Sequence, residues 1–80
     1  MTKRMTVNFN AIEFQRQHGH MPRGRALWVF YFSDDPDEPW IPGQRTNNMQ
    51  RRSYYGAKML AAAEARRRKV SSVRVDPVPL

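Results

Sequence analysis

Eight cationic side chains, Arg51, Arg52, Lys58, Arg66, Arg67, Arg68, Lys69 and Arg74, fall within residues 51–74 of an 80-residue chain. A guanidinium is a planar fork of N–H donors that matches phosphate oxygens, and an ammonium is a mobile point charge. Such a density of cations predicts contact with a polyanion, through phosphates and largely independent of base sequence. Four of them, Arg66 to Lys69, are consecutive. Cations at a helix C-terminus gain about 0.3–1 kcal/mol each from the macrodipole. One or two would suffice for that, and four in succession spread around the helix, so at least two must point into solvent. Arg23 and Arg25 add two more cations ahead of the most apolar run in the chain. Exposed rings are the second ingredient for holding single strands or RNA, because bases stack on them. Tyr31, Trp40, Tyr54 and Tyr55 are the rings expected at the surface, whereas Trp28 and Phe30 are expected in the core.

Chemistry beyond binding finds little support. Cysteine is absent, which removes a disulfide framework, a thiolate nucleophile and the commonest zinc ligand. His18 and His20 flank Gly19, but no spacing points to a third ligand, so no metal site is expected. Ser53 is placed to cap a helix rather than to act as a nucleophile. "PRGR" has one glycine and no helix behind it, unlike a phosphate-cradling loop. Four of the seven acids crowd into "DDPDE", Asp34 to Glu38, which reads as a turn and not as a pair of catalytic carboxylates. The expectation is a non-enzymatic protein without cofactor or metal.

Fourteen Lys and Arg against seven Asp and Glu give a formal charge of +7. A net charge of this size predicts attraction to polyanions and says nothing about fold. The candidate partners are DNA or RNA, or an acidic or nucleic-acid-binding protein surface. The acidic "DDPDE" tip on a basic body suits the protein partner, since a dipolar surface fits a protein interface better than a phosphate track. No run approaches the ~18 apolar residues of a membrane helix. "MTKRMTVNFN" has Lys3 and Arg4 but no apolar stretch behind them, so it is not expected to be a signal peptide. A soluble, cytoplasmic protein is the expectation.

The elements that must carry these residues belong to one small domain, residues 1–80. A chain this short buries only about 60% of its unfolded surface, which suits one layer of helix on sheet. "NAIEFQRQHG" reads as a short helix capped by Asn10, with Glu13 at the capping-box position and Gly19 as its stop. Ile12, Phe14 and Ala11 offer its apolar contacts. "TVNF" before it reads as a brief edge strand. "ALWVFYF", Ala26 to Phe32, is aromatic and β-branched and reads as a central strand. "PWIPG" reads as a second strand closing a hairpin, kept at an edge by its prolines. Residues 42–52 read as a polar loop. The main helix starts at the Ser53 cap and runs to about Lys69, with Leu60 expected inside. "SVRVDP" alternates, turning Val73 and Val75 inward and Arg74 outward. Residues 76–80 read as an extended tail. The fold expected is α+β: a small open sheet, antiparallel in type, of three or four strands with one main helix on a face and a short N-terminal helix.

Three family resemblances follow from these segments. "SYYGAKMLAAAEA" resembles the closing helix of double-stranded-RNA-binding domains, although here the chain continues into "SSVRV". An aromatic hairpin followed by a helix resembles the small three-stranded DNA-binding domains at the N-termini of tyrosine integrases. "HGHMPRGRALWVFYF", "SYYGAKMLAAAEA" and "VRVDP" together are similar in layout to small proteins of bacteriophage and prophage genomes. That last resemblance implies a phage-type accessory protein in the cytoplasm of a bacterial host. It implies action by binding host machinery, anti-CRISPR proteins included, and it assigns no binding residue.

Overall fold

The structure is a computed structural model and describes residues 6–78. In chain order it contains β1 (Asn8–Asn10), α1 (Ile12–His18), β2 (Arg25–Phe32), β3 (Asp35–Trp40), a 3-10 turn (Gln44–Thr46), β4 (Arg52–Ser53), α2 (Tyr54–Arg68) and β5 (Ser72–Val78). Five strands form one open sheet in the order β1-β5-β2-β3, with β4 paired to the start of β2. The class is α+β, as the element pattern predicts. The sheet has five strands rather than three or four, and it is mixed rather than antiparallel, because β1 runs parallel to β5 while every other pairing is antiparallel.

The apolar run at the centre of the sequence takes the centre of the sheet for a physical reason. Trp28, Phe30 and Phe32 alternate toward α2 and are 0–2% exposed, with Val73 and Val75 of β5 beside them at 1%. Burying each such ring or branched side chain contributes about 1.5–3 kcal/mol. From above, α2 brings Ala57, Ala61 and Ala65, all at 0–1% exposure. Methyl groups at i, i+4 and i+8 let the helix axis sit close on the aromatic layer. The Trp28 indole N–H needs a partner once buried, and it donates to the Arg52 carbonyl at 3.0 Å, tying the core to the start of α2.

Several sequence-based expectations are corrected here. Leu60 is 42% exposed and not in the core, because the small-residue stripe Ala57–Ala61–Ala65 is the one that fits the aromatic layer. Ile12 is also exposed at 61%, and α1 anchors instead through Ala11 and Phe14. Residues 35–38 form most of β3 rather than a turn, since the reversal is completed by Ser33 and Asp34 directly after Phe32. A strand this acidic and proline-rich survives only at an edge, where it also blocks further pairing. Of the strand expected over "PWIPG", only Pro39 and Trp40 belong to β3. Residues 42–52 are not a featureless loop, for they hold the 3-10 turn and the first residue of β4. Gly43 opens that turn at φ 87°, and a Cβ there would collide with the Asn48 carbonyl. The expected tail at 76–80 is strand as far as Val78, paired with Leu27, and its last two residues lie outside those described.

The helix ends follow their local signals. The Ser53 hydroxyl accepts from the Gly56 amide at 3.1 Å. The expected Asn10 cap is corrected: Asn10 ends β1 and its side chain accepts from the Ile12 amide at 3.0 Å, but the N-cap of α1 is Ala11, and Glu13 pairs with Arg16 instead of closing a capping box. Gly19 stops α1 in the left-handed conformation, with its N–H donating to the Gln15 carbonyl. Lys69 ends α2 as its left-handed cap rather than as its last helical residue.

Candidate nucleic-acid interface

The eight cations expected to form a patch are distributed over four places, Lys58 standing alone partway along α2. α2 has 15 residues and so spans about 22 Å, which separates Arg51 and Arg52 from the Arg66–Lys69 cluster. Arg74 lies elsewhere again: β5 turns Val73 and Val75 toward α2, so alternation puts Arg74 on the opposite sheet face.

The consecutive cluster is largely engaged within the molecule. Glu64, whose side chain is 11% exposed, accepts from both Arg67 (Nε, 2.9 Å) and Arg68 (Nε, 2.8 Å). The Arg67 hydrogen bond, with Arg68 assisting against the desolvation that opposes it, holds the Glu64 carboxyl at about 2. The same bond raises the Arg67 guanidinium further. Arg68 also reaches Asp34 at 3.4 Å in the β2–β3 turn and lies over the Phe32 ring, 4.3 Å from its centroid. Its side chain is 21% exposed and works as a clamp between α2 and the hairpin. Lys69 is exposed, and Lys58 sits over Phe9 at 5.2 Å.

Elsewhere the fold gathers cations that are scattered in sequence. β4 lies against the start of β2, pairing Arg25 with Ser53 and Ala26 with Arg52. Across this junction Arg25 donates to the Arg51 carbonyl at 3.3 Å and Arg51 donates to the Arg25 carbonyl at 3.2 Å. Each spends one N–H on a neutral acceptor, so neither charge is compensated by a carboxylate among the described residues. Arg52, on the α2 side with Ala26, is half-buried, and its Nε has no partner among the described residues.

Alternation along β2 puts Arg25, Leu27, Val29 and Tyr31 on the face away from α2. Arg74 stands directly opposite Tyr31 in the β2–β5 register, with its guanidinium carbon 4.4 Å from the ring centroid. Beside this stack lies a hollow of about 400 Å³, lined by Asn8, Phe9, Asn10, Tyr31, Phe32, Ser33, Pro36, Ser72, Val73 and Arg74. Carboxylates are absent from that lining. A second hollow of about 320 Å³ on the other side includes Glu13 and Asp76. Arg25 and Tyr31 are six residues apart on β2, about 20 Å. Asp76, opposite Val29, falls between the two cationic points and lies 3.9 Å from His18.

The expected surface rings divide. Tyr55 is 73% exposed and Tyr31 is half-buried in the outer face. Trp40 is packed on Phe30 and Phe32, and Tyr54 is packed edge-on against Trp28, where burial raises its hydroxyl pKa. His18 and His20 both pack on Phe14, and no group of three His, Cys, Asp or Glu able to hold a metal occurs among the described residues. No helix among them is long and apolar enough to cross a membrane. The sequence pattern counts Arg23 and Arg25 only as additional cations beside the main cluster and does not link Tyr31 to Arg74. The available signal was the alternation in "RALWVFYF" and "SVRV", which puts both members of the stack on the non-helix face. Comparison with family models, curated proteins and solved structures returned no match.

Proposed function

We propose that this protein is a non-enzymatic nucleic-acid binder that contacts phosphates with little regard to base sequence. The observation that carries this reading is the distribution of uncompensated cations. Arg25, Arg51, Arg74 and Lys69 have no carboxylate partner among the described residues, and the acids that do form pairs are spent on Arg16, His18, Arg67 and Arg68. Within the consecutive cluster Arg67 remains 55% exposed and supplements this set, whereas Arg68 serves the fold. Release of counterions from the bound nucleic acid then drives association.

Titration of labelled DNA and RNA oligonucleotides at low and moderate salt tests the reading. Submicromolar binding that weakens steeply with salt supports it, and no binding at low salt rejects it.

A second reading has its own observation. The outward side of α2 carries Tyr55, Met59 and Leu60, exposed at 73%, 54% and 42%, with Gly56 and Ala63 on the same side. Exposed apolar patches mark interaction surfaces. This favours a phage-type inhibitor that docks on a host protein through α2, with the acidic β3 edge as a second charge pole. Capture of one defined host complex from a bacterial lysate, abolished by Met59→Asp, supports that reading. Capture unaffected by Met59→Asp rejects it.

A further inference from the structure

We infer that the hollow beside Tyr31 and Arg74 is a seat for one unstacked base of single-stranded nucleic acid. The inference rests on the nucleic-acid reading above and names the form of ligand that reading would take. Three features of the hollow fit a base attached to a phosphate. Its walls combine apolar surface from Tyr31 and Pro36 with amide and hydroxyl groups from Asn8, Asn10, Ser33 and Ser72. Its volume of about 400 Å³ lies within the ~300–1,000 Å³ range of small-ligand sites. Its one charged side chain is Arg74, so nothing in the lining repels an anion.

The Tyr31–Arg74 pair supplies the stacking surface. Arg74 is held over one face of the ring at 4.4 Å, and it is exposed, so its far side can take a base plane. Bases stack on guanidinium planes as they do on aromatic rings. The N–H groups of the same guanidinium, which pair with no carboxylate among the described residues, can meet the attached phosphate. Cross-strand pairing of Tyr31 with Arg74 fixes both groups on rigid elements rather than on loops.

The same geometry selects against a duplex. Tyr31 is half-buried in the sheet face and does not project, so it cannot enter a groove to reach a paired base. Only a base already splayed from its neighbours can come down to it. The acidic second hollow, with Glu13 and Asp76, lies on the other side of the stack and steers the phosphate chain toward the first.

The test uses fluorescence anisotropy with labelled oligothymidylate and oligouridylate of about ten nucleotides, within the ~4–16 one small domain covers, and a duplex of equal length. Wild-type protein, Tyr31→Leu and Arg74→Lys are compared at moderate salt. Tyr31→Leu keeps an apolar side chain and removes the ring, and Arg74→Lys keeps the charge and removes the plane. The inference expects wild-type preference for the single strands. It expects Tyr31→Leu to weaken them roughly tenfold, Arg74→Lys to weaken them several-fold, and duplex binding to change little. If both variants bind all ligands like wild type, or lose single strand and duplex equally, the base seat is overturned while phosphate contact stands. If the wild type binds neither form at low salt, both readings fall. Should a variant not fold, amide resonances of wild type are followed on adding oligothymidylate. Shifts at Asn8, Ser33 and Ser72 support the seat, and shifts confined to α2 overturn it.

Discussion

The arginines at the end of α2 and the arginines on the outer sheet face differ in the opposite sense to what their spacing in the sequence suggests. Arg66 to Lys69 are consecutive, yet Arg67 and Arg68 close on Glu64, and Arg68 crosses to Asp34 and Phe32. Arg25, Arg51 and Arg74 are far apart in the chain, yet the sheet puts Arg25 beside Arg51 and sets Arg74 on the same face, without a paired carboxylate. Density of charge along a sequence is therefore a poor measure of charge available to a partner. Availability depends on where the few acids finish, and here Glu64 and Asp34 both finish against the dense cluster.

The most disruptive way to break the comparison is to remove the layer that positions both groups. Phe30→Ala empties a fully buried site in the middle of β2 and is expected to cost about 3–5 kcal/mol, read as a lowered denaturant midpoint. Arginine removal should then separate the two regions by stability. Arg68→Ala leaves Glu64 and Asp34 short of a partner and uncovers Phe32, for a loss of about 2 kcal/mol. Arg74→Ala, at an exposed position, should stay within about 0.5 kcal/mol. Equal losses would mean that the two regions are not different in kind.

Salt dependence reads the same contrast from the ligand's side. The triple change Arg25→Ala, Arg51→Ala, Arg74→Ala should reduce the slope of log affinity against log salt by about 2, at ~0.7 per single-strand phosphate. Arg67→Ala with Arg68→Ala should reduce it by less than about 1. A larger drop for the second pair would return the interface to the α2 end.

Acid provides a smaller effect with a defined sign. Glu64 holds its carboxyl at about 2 against an ordinary 4.5. The unfolded chain therefore binds the proton first, and stability rises with pH across that window. The contribution is complete above about pH 4.5 and is lost as pH falls toward 2. Glu64→Gln should flatten this part of an acid-unfolding curve. The smallest expected effect is on Asp76, the carboxylate lying between Arg25 and Arg74 along the outer face. Asp76→Asn should strengthen oligonucleotide binding roughly twofold by removing a like-charge neighbour of the phosphates.

What the sequence alone determined is what neighbouring residues can decide. The β-branched and aromatic composition of residues 26–32 makes a central strand wherever a sheet exists. Ser53 caps α2 because its hydroxyl is three residues from an unpaired amide, and Gly19 ends α1 because a left-handed φ is cheap for glycine. Alternation in "SVRV" buries Val73 and Val75 for the same local reason. Only the tertiary structure decided which side of α2 is buried. Its alanines, Met59 and Leu60 are apolar nearly all around, so periodicity chooses no face. The aromatic sheet selects the alanine stripe because small side chains allow the closest approach. Tertiary structure also decided which cations are compensated. Arg68 meets Asp34 across 34 residues, Arg25 meets Arg51 across 26, and Tyr31 meets Arg74 through strand register. Pairings at that separation depend on how the strands are ordered in the sheet, and no local preference of the chain encodes that order.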